Sequence, residues 1–302
     1  IPYELRDRLE IIELSSYTEY EKLDIAKEHL IPRALEEHGL TSLQVQIDDA
    51  AILGMIRYYT KEAGVRELDR VLATLFRKIV KKILLQKEQV FYQICEDDLE
   101  QFLGKKKYSY EKMGKKAEVG VVNGMAYTVF GGDILPIEVT MFPGKGDLIL
   151  TGSLGDVMQE SCQIAFSYIK SDAKIFGIDG KILTTNDIHI HFPEGAVAKD
   201  GPSAGIAITT ALISLFKNLA VANDVSMTGE VTLRGKVLPI GGLREKVIGS
   251  HRAGVRKIFL PKENEKDLDK VPEELKKEIK FIFVEDYIDI YNDLFSGGEN
   301  GK

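Results

Sequence analysis

Hydrophobic residues recur at two different periods along this chain, and the change of period divides it in two. In the first hundred residues the steps are three and four. Leu68, Val71, Leu72, Leu75, Ile79, Ile83 and Leu84 share one helical stripe, which predicts a long helix over about Arg66–Gln86. Ile52, Leu53, Met55 and Ile56 repeat the pattern behind Asp48 or Asp49, either of which can cap a second helix. Thr18-Glu19-Tyr20-Glu21 matches a capping box opening a helix toward Leu30, which Pro32 should interrupt. A short strand over Val90–Ile94 and a small helix over Leu99–Leu103 complete this part. Gly104–Lys116 is rich in lysine and tyrosine, has no period, and marks the best domain boundary.

From Ala117 the steps shorten to two and the elements alternate. Val119–Val122, Ala126–Phe130 and, after the Gly131-Gly132 turn, Leu135–Met141 read as strands. Ser153 or Asp156 opens a long helix through Ile169. In Asp187-Ile188-His189-Ile190-His191-Phe192 the alternation is strict, so His189 and His191 share one face and the apolar residues the other. Ile206–Phe216 is an apolar helix, Val231–Val237 a hairpin turning at Arg234-Gly235, and Leu243–Ala253 a short helix. Lys257–Leu260 and Phe281–Val284 are further strands. The predicted fold is an α-helical domain (1–103), a linker (104–116) and an α/β (α+β) domain with a mixed sheet (117–295), followed by a disordered tail (296–302).

Composition narrows the function. With 302 residues, 44% hydrophobic and 29% charged, the chain can bury two cores. Its longest apolar run, Ile206–Phe216, is broken by Thr209, Thr210 and Ser214, and falls short of the roughly 18 residues of a membrane span. A formal net charge of −7 argues against general affinity for nucleic acid. The lysine clusters at 105–107 and at 112, 115 and 116 fall in the connecting stretch and read as solvated linker. Cys95 and Cys162 lack metal-ligand spacing, so no metal is expected. Two thiols suit a reducing compartment, and no signal-peptide pattern is present; the expectation is cytoplasmic, with an organelle matrix as the alternative. The chain starts at Ile1-Pro2 and reads as part of a longer protein.

The candidate chemistry lies in two places. Gly201 and Gly205 bracket Ser203 just ahead of the apolar helix, where backbone can approach a substrate and first-turn amides can face an oxyanion. Serine is a weak nucleophile and needs a base. Lys246 offers one. On the helix Leu243–Ala253, Lys246 falls at about 300° from Leu243, beside Val247 and Ser250, while Arg244, Glu245 and Arg252 fall between about 100° and 200°. A lysine on the apolar stripe can lose its charge to desolvation, and its pKa must fall from about 10.4 toward 7 for it to act as a base. Thr228 or Glu230 can orient the amine; Thr228 suits a neutral amine better, because a carboxylate raises the pKa.

Other readings fit the same residues. Ser203 can simply begin a buried helix, its glycine loop can bind phosphate, and Lys246 can snorkel at the stripe's edge. Gly201-Pro202-Ser203-Ala204-Gly205 also matches Gly-x-Ser-x-Gly, the elbow of a histidine triad. The one histidine after Ser203 is His251, at about 80° on the wet side of its helix.

Longer motifs resolve into a resemblance. Pro193–Gly205, then Met227-Thr228-Gly229-Glu230-Val231-Thr232-Leu233-Arg234-Gly235, then Pro239-Ile240-Gly241-Gly242-Leu243-Arg244-Glu245-Lys246 closely resemble, in order, the proteolytic domain of the Lon family of ATP-dependent serine proteases. The resemblance implies that Ser203 is the nucleophile, Lys246 its partner in a Ser–Lys dyad, and Thr228 a supporting hydroxyl. One departure is Ala198, where the family usually has proline. Ile1–Leu103 resembles the end of the Lon AAA+ module and its helical lid, with Arg8 in Leu5–Glu10 at the arginine finger and Arg66 at the sensor arginine. By the same resemblance the intact protein uses ATP with Mg2+, forms a homohexamer and degrades unfolded or damaged protein. No Gly-x-x-x-x-Gly-Lys-[Ser/Thr] occurs, so this piece alone is expected not to hydrolyse ATP.

Overall fold

The computed structural model describes residues 2–6, 8–12, 15–86, 91–108, 116–128 and 131–296. Val90, Lys112 and Lys115, residues 129–130, most of the 104–116 linker and the tail beyond Ser296 lie outside the described residues. By contact density the chain falls into two units, one within Ile1–Tyr110 and Val129–Gly131, the other within Glu111–Thr128 and Gly132–Lys302.

In the first unit the capping box forms. The Thr18 hydroxyl accepts from the Glu21 amide at 3.1 Å, and the Glu21 carboxylate accepts from the Thr18 amide at 2.7 Å. Pro32 does not stop the helix. Glu19–Ile25 widens into a π-helical turn, Ala26–Leu30, where the Ile31 amide reaches Ala26 O, and α-helix resumes over Ile31–Glu37. Proline has no N–H and crowds the carbonyl four residues back; a wider turn ahead of it accommodates both. α1 (Asp49–Tyr59) starts at Asp48, and α2 (Arg66–Gln86) has the predicted bounds. Leu68, Leu72, Leu75 and Ile79 of α2 are buried with Ile52 and Met55 of α1, whereas Leu84 is exposed because the helix outruns its core. β1 (Val45–Ile47) pairs in parallel with β2 (Tyr92–Ile94). β1 was not predicted; three residues are too few to show alternation.

Among its described residues the second unit has nine strands. They are β3 (Val121–Thr128), β4 (Gly131–Pro143), β5 (Leu148–Thr151), β6 (Asn186–His191), β7 (Val225–Met227), β8 (Glu230–Val231), β9 (Val237–Leu238), β10 (Lys257–Pro261) and β11 (Lys280–Val284). Seven of them form one mixed sheet in the order β11-β10-β7-β3-β4-β6-β5, in which β4 and β6 are antiparallel. Among the described residues the two strands expected over 119–130 are one strand, Val121–Thr128. Asn123 and Gly124, between them in sequence, pair with Ser226 and Met227 and sit in the ladder.

Alternation along the central strands sends side chains into two cores. Val122, Phe259 and Val284 join the larger one with α3 (Asp156–Ser171) and α4 (Gly205–Lys217). Met125, Ile258 and Leu260 join the other with Leu243 and Val247 of α5 (Leu243–Arg252). The helix that follows Ser203 and the helix that carries Lys246 therefore cover opposite faces of the sheet. α6 (Tyr287–Phe295) closes the larger core, where the buried Tyr287 hydroxyl meets Thr210 Oγ1 at 2.9 Å. No helix among the described residues is long and apolar enough to cross a membrane.

Candidate active site

β7 ends at Met227, and the next residue, Thr228, stands between the two faces. From one face comes Ser203. Its loop, Pro193–Gly201, is knotted by Lys199, whose Nζ donates to the carbonyls of Glu194 at 2.7 Å, Val197 at 3.0 Å and Gly152 at 3.3 Å. Asp200 Oδ1 accepts from the Met158 amide at 3.0 Å and from its own neighbour Gly201 at 2.8 Å. It thereby caps α3 from outside, since the N-cap residue Gly155 has no side chain. A Cβ on Gly155 would lie 2.4 Å from the Asp200 carboxyl carbon, so the glycine makes room for this distant cap.

The helix after Ser203 starts at Gly205, one residue ahead of the expected Ile206, with Ala204 as N-cap. Its early amides are engaged: Gly205 N donates to Pro202 O at 3.1 Å and Ile206 N to Gly229 O at 3.1 Å. The Ser203 and Ala204 amides, by contrast, make no backbone hydrogen bond among the described residues. A Cβ on Gly205 would approach Val231 N to 2.7 Å, so only glycine permits this contact.

From the other face comes Lys246. It is 4% exposed, and its Nζ lies 2.9 Å from Ser203 Oγ and 3.0 Å from Thr228 Oγ1. α5 gets this close because its backbone touches that of β4: a Cβ on Gly132 would come 1.8 Å from Glu245 O, and one on Gly249 would come 2.2 Å from Gly132 C. Burial pushes the Lys246 amine down to about 8, and no charged group contributes to the shift.

Hydrogen-bond accounting sets the amine's orientation. Thr228 Oγ1 donates its single proton to Ser203 O at 3.1 Å, so toward Lys246 it can only accept. One Lys246 N–H is thus committed to Thr228. When the amine is neutral, its lone pair is free to take the Ser203 hydroxyl proton.

The other candidates fall elsewhere. Glu230 is half-buried and does not contribute to the Lys246 shift. His251 does not point into open water: its Nε2 meets the Glu278 carboxylate at 2.9 Å, and Ser203 is met by Lys246 instead. His189 and His191 do share a face, and both rings converge on Thr151 Oγ1, at 2.8 and 2.7 Å. A hydroxyl has one proton, so at most one of the two rings accepts from it and the other donates. Arg8 and Arg66 are exposed residues of the first unit. Arg244 and Arg252, expected on a wet face, are half-buried; Arg244 donates to Lys270 O at 2.9 Å. The cap role of Asp200 and the buried Asn264 were missed. Each acts on backbone far along the chain, and no local pattern signals such a partner.

Comparison with known proteins places the chain in a family. Residues 93–297 match the Lon protease (S16) C-terminal proteolytic domain, and residues 36–91 match the Lon protease AAA+ ATPase lid domain. Lon protease 1 of Bacillus subtilis is 54% identical over 282 residues, covering 93% of this chain and 36% of the relative. The Lon protease of Dictyoglomus thermophilum is 51% identical over 294 residues, 97% of this chain and 37% of the relative. Lon protease 2 of Thermus thermophilus is 49% identical over 299 residues, 99% and 37% respectively. The chain thus spans little more than a third of the length of these curated relatives. The proteolytic-domain match alone covers more than half of the chain, and on that match and these identities the chain belongs to the Lon protease family.

Proposed function

We propose that this chain is the peptidase part of an ATP-dependent protease and cleaves peptide bonds with a Ser203–Lys246 dyad. The observation that carries the reading is a buried amine 2.9 Å from the serine hydroxyl at the end of a central strand. With a pKa of about 8, roughly a tenth of the Lys246 amine is neutral at pH 7 and about half at pH 8. Neutral Lys246 takes the Ser203 proton as Oγ attacks the peptide carbonyl. The Ser203 and Ala204 amides stabilise the oxyanion. Protonated Lys246 then gives its proton to the leaving amine, and water, deprotonated by the same amine, hydrolyses the acyl-enzyme. Thr228 keeps the amine aimed throughout.

The rest of the assignment rests on the family. Residues 1–103 serve as the end of the AAA+ module and its lid, 104–116 as linker and 117–295 as the peptidase domain. Arg8 and Arg66 contact nucleotide in the intact protein, which uses ATP with Mg2+. The peptidase chemistry needs no cofactor, and without the Gly-x-x-x-x-Gly-Lys-[Ser/Thr] loop this piece alone does not hydrolyse ATP. The substrates are unfolded or damaged proteins, the assembly a homohexamer and the location the cytoplasm.

A fluorophosphonate, which phosphorylates activated serines, tests the dyad without needing a protein substrate. Labelling should occur at Ser203 and disappear in Lys246→Ala. Labelling that survives Lys246→Ala unchanged, or disappears in His251→Ala, sinks the reading.

A further inference from the structure

The lysine helix begins without a local device to fix it. Its N-cap is Gly242, at φ 67°, with no side-chain cap bond. Gly241 before it is exposed, and a Cβ there would meet nothing within 4 Å. Two glycines ahead of the helix that carries the base should leave its start loose, since glycine is the most permissive backbone. The Pro239–Gly242 turn is nevertheless held, and the holder lies outside it in sequence.

Asn264, in the 3-10 segment Lys262–Lys270, is 2% exposed. Its side-chain amide pairs with both backbone groups of one residue: Oδ1 accepts from Ile240 N at 2.9 Å, and Nδ2 donates to Ile240 O at 2.9 Å. Nδ2 also donates to Asp267 Oδ2 at 2.8 Å, and Asp267 accepts from Lys270 Nζ at 3.0 Å. Two acceptors against Nδ2 and one donor against Oδ1 leave a single orientation for the amide. Lys270 returns to the same helix by accepting from Arg244 Nη1. Ile240 itself packs on the core that holds Leu243 and Val247.

We propose that Asn264 is a positioning residue for the Lys246 amine: by clamping Ile240 it sets where the helix Leu243–Arg252 begins, and so where Lys246 meets Ser203. The inference rests on reading these two residues as the dyad. Asn264 touches neither of them. It acts through the turn, and its failure lets that turn and the first helical residues shift and admit water. Burial is what lowers the Lys246 pKa, so water entry returns the amine toward the ordinary lysine value. Arg244, Asp267 and Lys270, the charged groups between the clamp and the helix, bond to the clamp or to backbone, and burial alone accounts for the Lys246 shift.

The test is the pH dependence of fluorophosphonate labelling of this chain, unmodified and as Asn264→Ala, with Lys246→Ala as control. In Asn264→Ala the midpoint should move up by about one pH unit, with labelling at pH 7 falling about tenfold and recovering above pH 10. A purely structural role lowers labelling by the same factor at every pH, and that result, or an unchanged profile, overturns the inference. Labelling that persists in Lys246→Ala overturns the dyad reading instead, so the two failures are told apart. Should Asn264→Ala not fold, Asp267→Ala removes the bond that orients the amide, together with the exposed ion pair to Lys270, and leaves both bonds from Asn264 to Ile240 in place. Its midpoint should move the same way by a smaller amount, and no movement overturns the inference.

Discussion

Ser203 and Lys246 reach one point from opposite faces of the sheet, and different physics holds each of them there. The serine side is polar and half open. Lys199 gathers three loop carbonyls, Asp200 caps a helix that its own glycine cannot cap, and Ser203 itself is half-buried. The lysine side is dry. Its helix lies backbone against backbone on β4 at Gly132 and Gly249, packs Leu243 and Val247 into a core, and leaves the amine 4% exposed. A nucleophile has to meet substrate, so its loop is held by hydrogen bonds that tolerate water. A neutral lysine has to avoid water, so its helix is held by close packing.

The comparison can be broken at its tightest contact. Gly249→Ala should destabilise the second unit by about 2 kcal/mol or more. The added methyl meets backbone at 2.2 Å, and overpacking of about 3 kcal/mol outweighs the gain of about 1 kcal/mol from better helix propensity. Urea unfolding reads the loss, and phosphonate labelling should fall with it as the amine moves off Ser203.

Removing the buried amine should act in the opposite direction on stability. A lysine whose folded pKa is depressed lets the unfolded chain bind more protons between about 8 and 10.5, so stability rises with pH across that window. The gap corresponds to at most about 3 kcal/mol of destabilisation at pH 7. Lys246→Met should therefore gain about 2 kcal/mol at pH 7, lose that gain above pH 10.5, and abolish labelling. A destabilised Lys246→Met at pH 7 contradicts a dry, depressed amine.

Thr228→Val sharpens the orientation argument. It removes the acceptor of one Lys246 N–H and the donor to Ser203 O while keeping the shape. Labelling should fall about tenfold at its optimum pH, the loss of about 1.4 kcal/mol of orienting hydrogen bonding. On the serine side, Asp200→Ala should cost about 1 kcal/mol of stability through the lost distant cap. It should slow labelling without moving the pH midpoint, because that midpoint belongs to the lysine side.

Both halves of the pair were legible in the sequence for reasons that survive in the structure. Of the two glycines around Ser203, Gly205 marks a close backbone approach and Gly201 a backbone turn at φ 114°, and the helical stripe placed Lys246 with Val247 and Ser250, which are also buried. Thr228 was readable because a short hydroxyl suits a neutral amine. What the sequence hid depends on contacts across long separations. The first amides of the helix after Ser203 are claimed by Pro202 O and by Gly229 O, the latter well along the chain. Asn123-Gly124 reads as a break but is held extended by β7. Pro32 reads as a stop, yet a π turn ahead of it carries the helix on. Asn264 sits in a charged stretch that looks like an ordinary turn, and its partner Ile240 lies on the other side of α5 and β10 in the chain.

The central claim is an amine that loses its proton near pH 8, well below an ordinary lysine, and its titration can be watched directly. NMR of 13Cε-labelled lysine, with Lys246→Met to assign the signal, follows this one side chain across pH. The account predicts a midpoint near 8, set apart from the other lysines. A Lys246 signal that titrates with them near the ordinary value of 10.5 contradicts it.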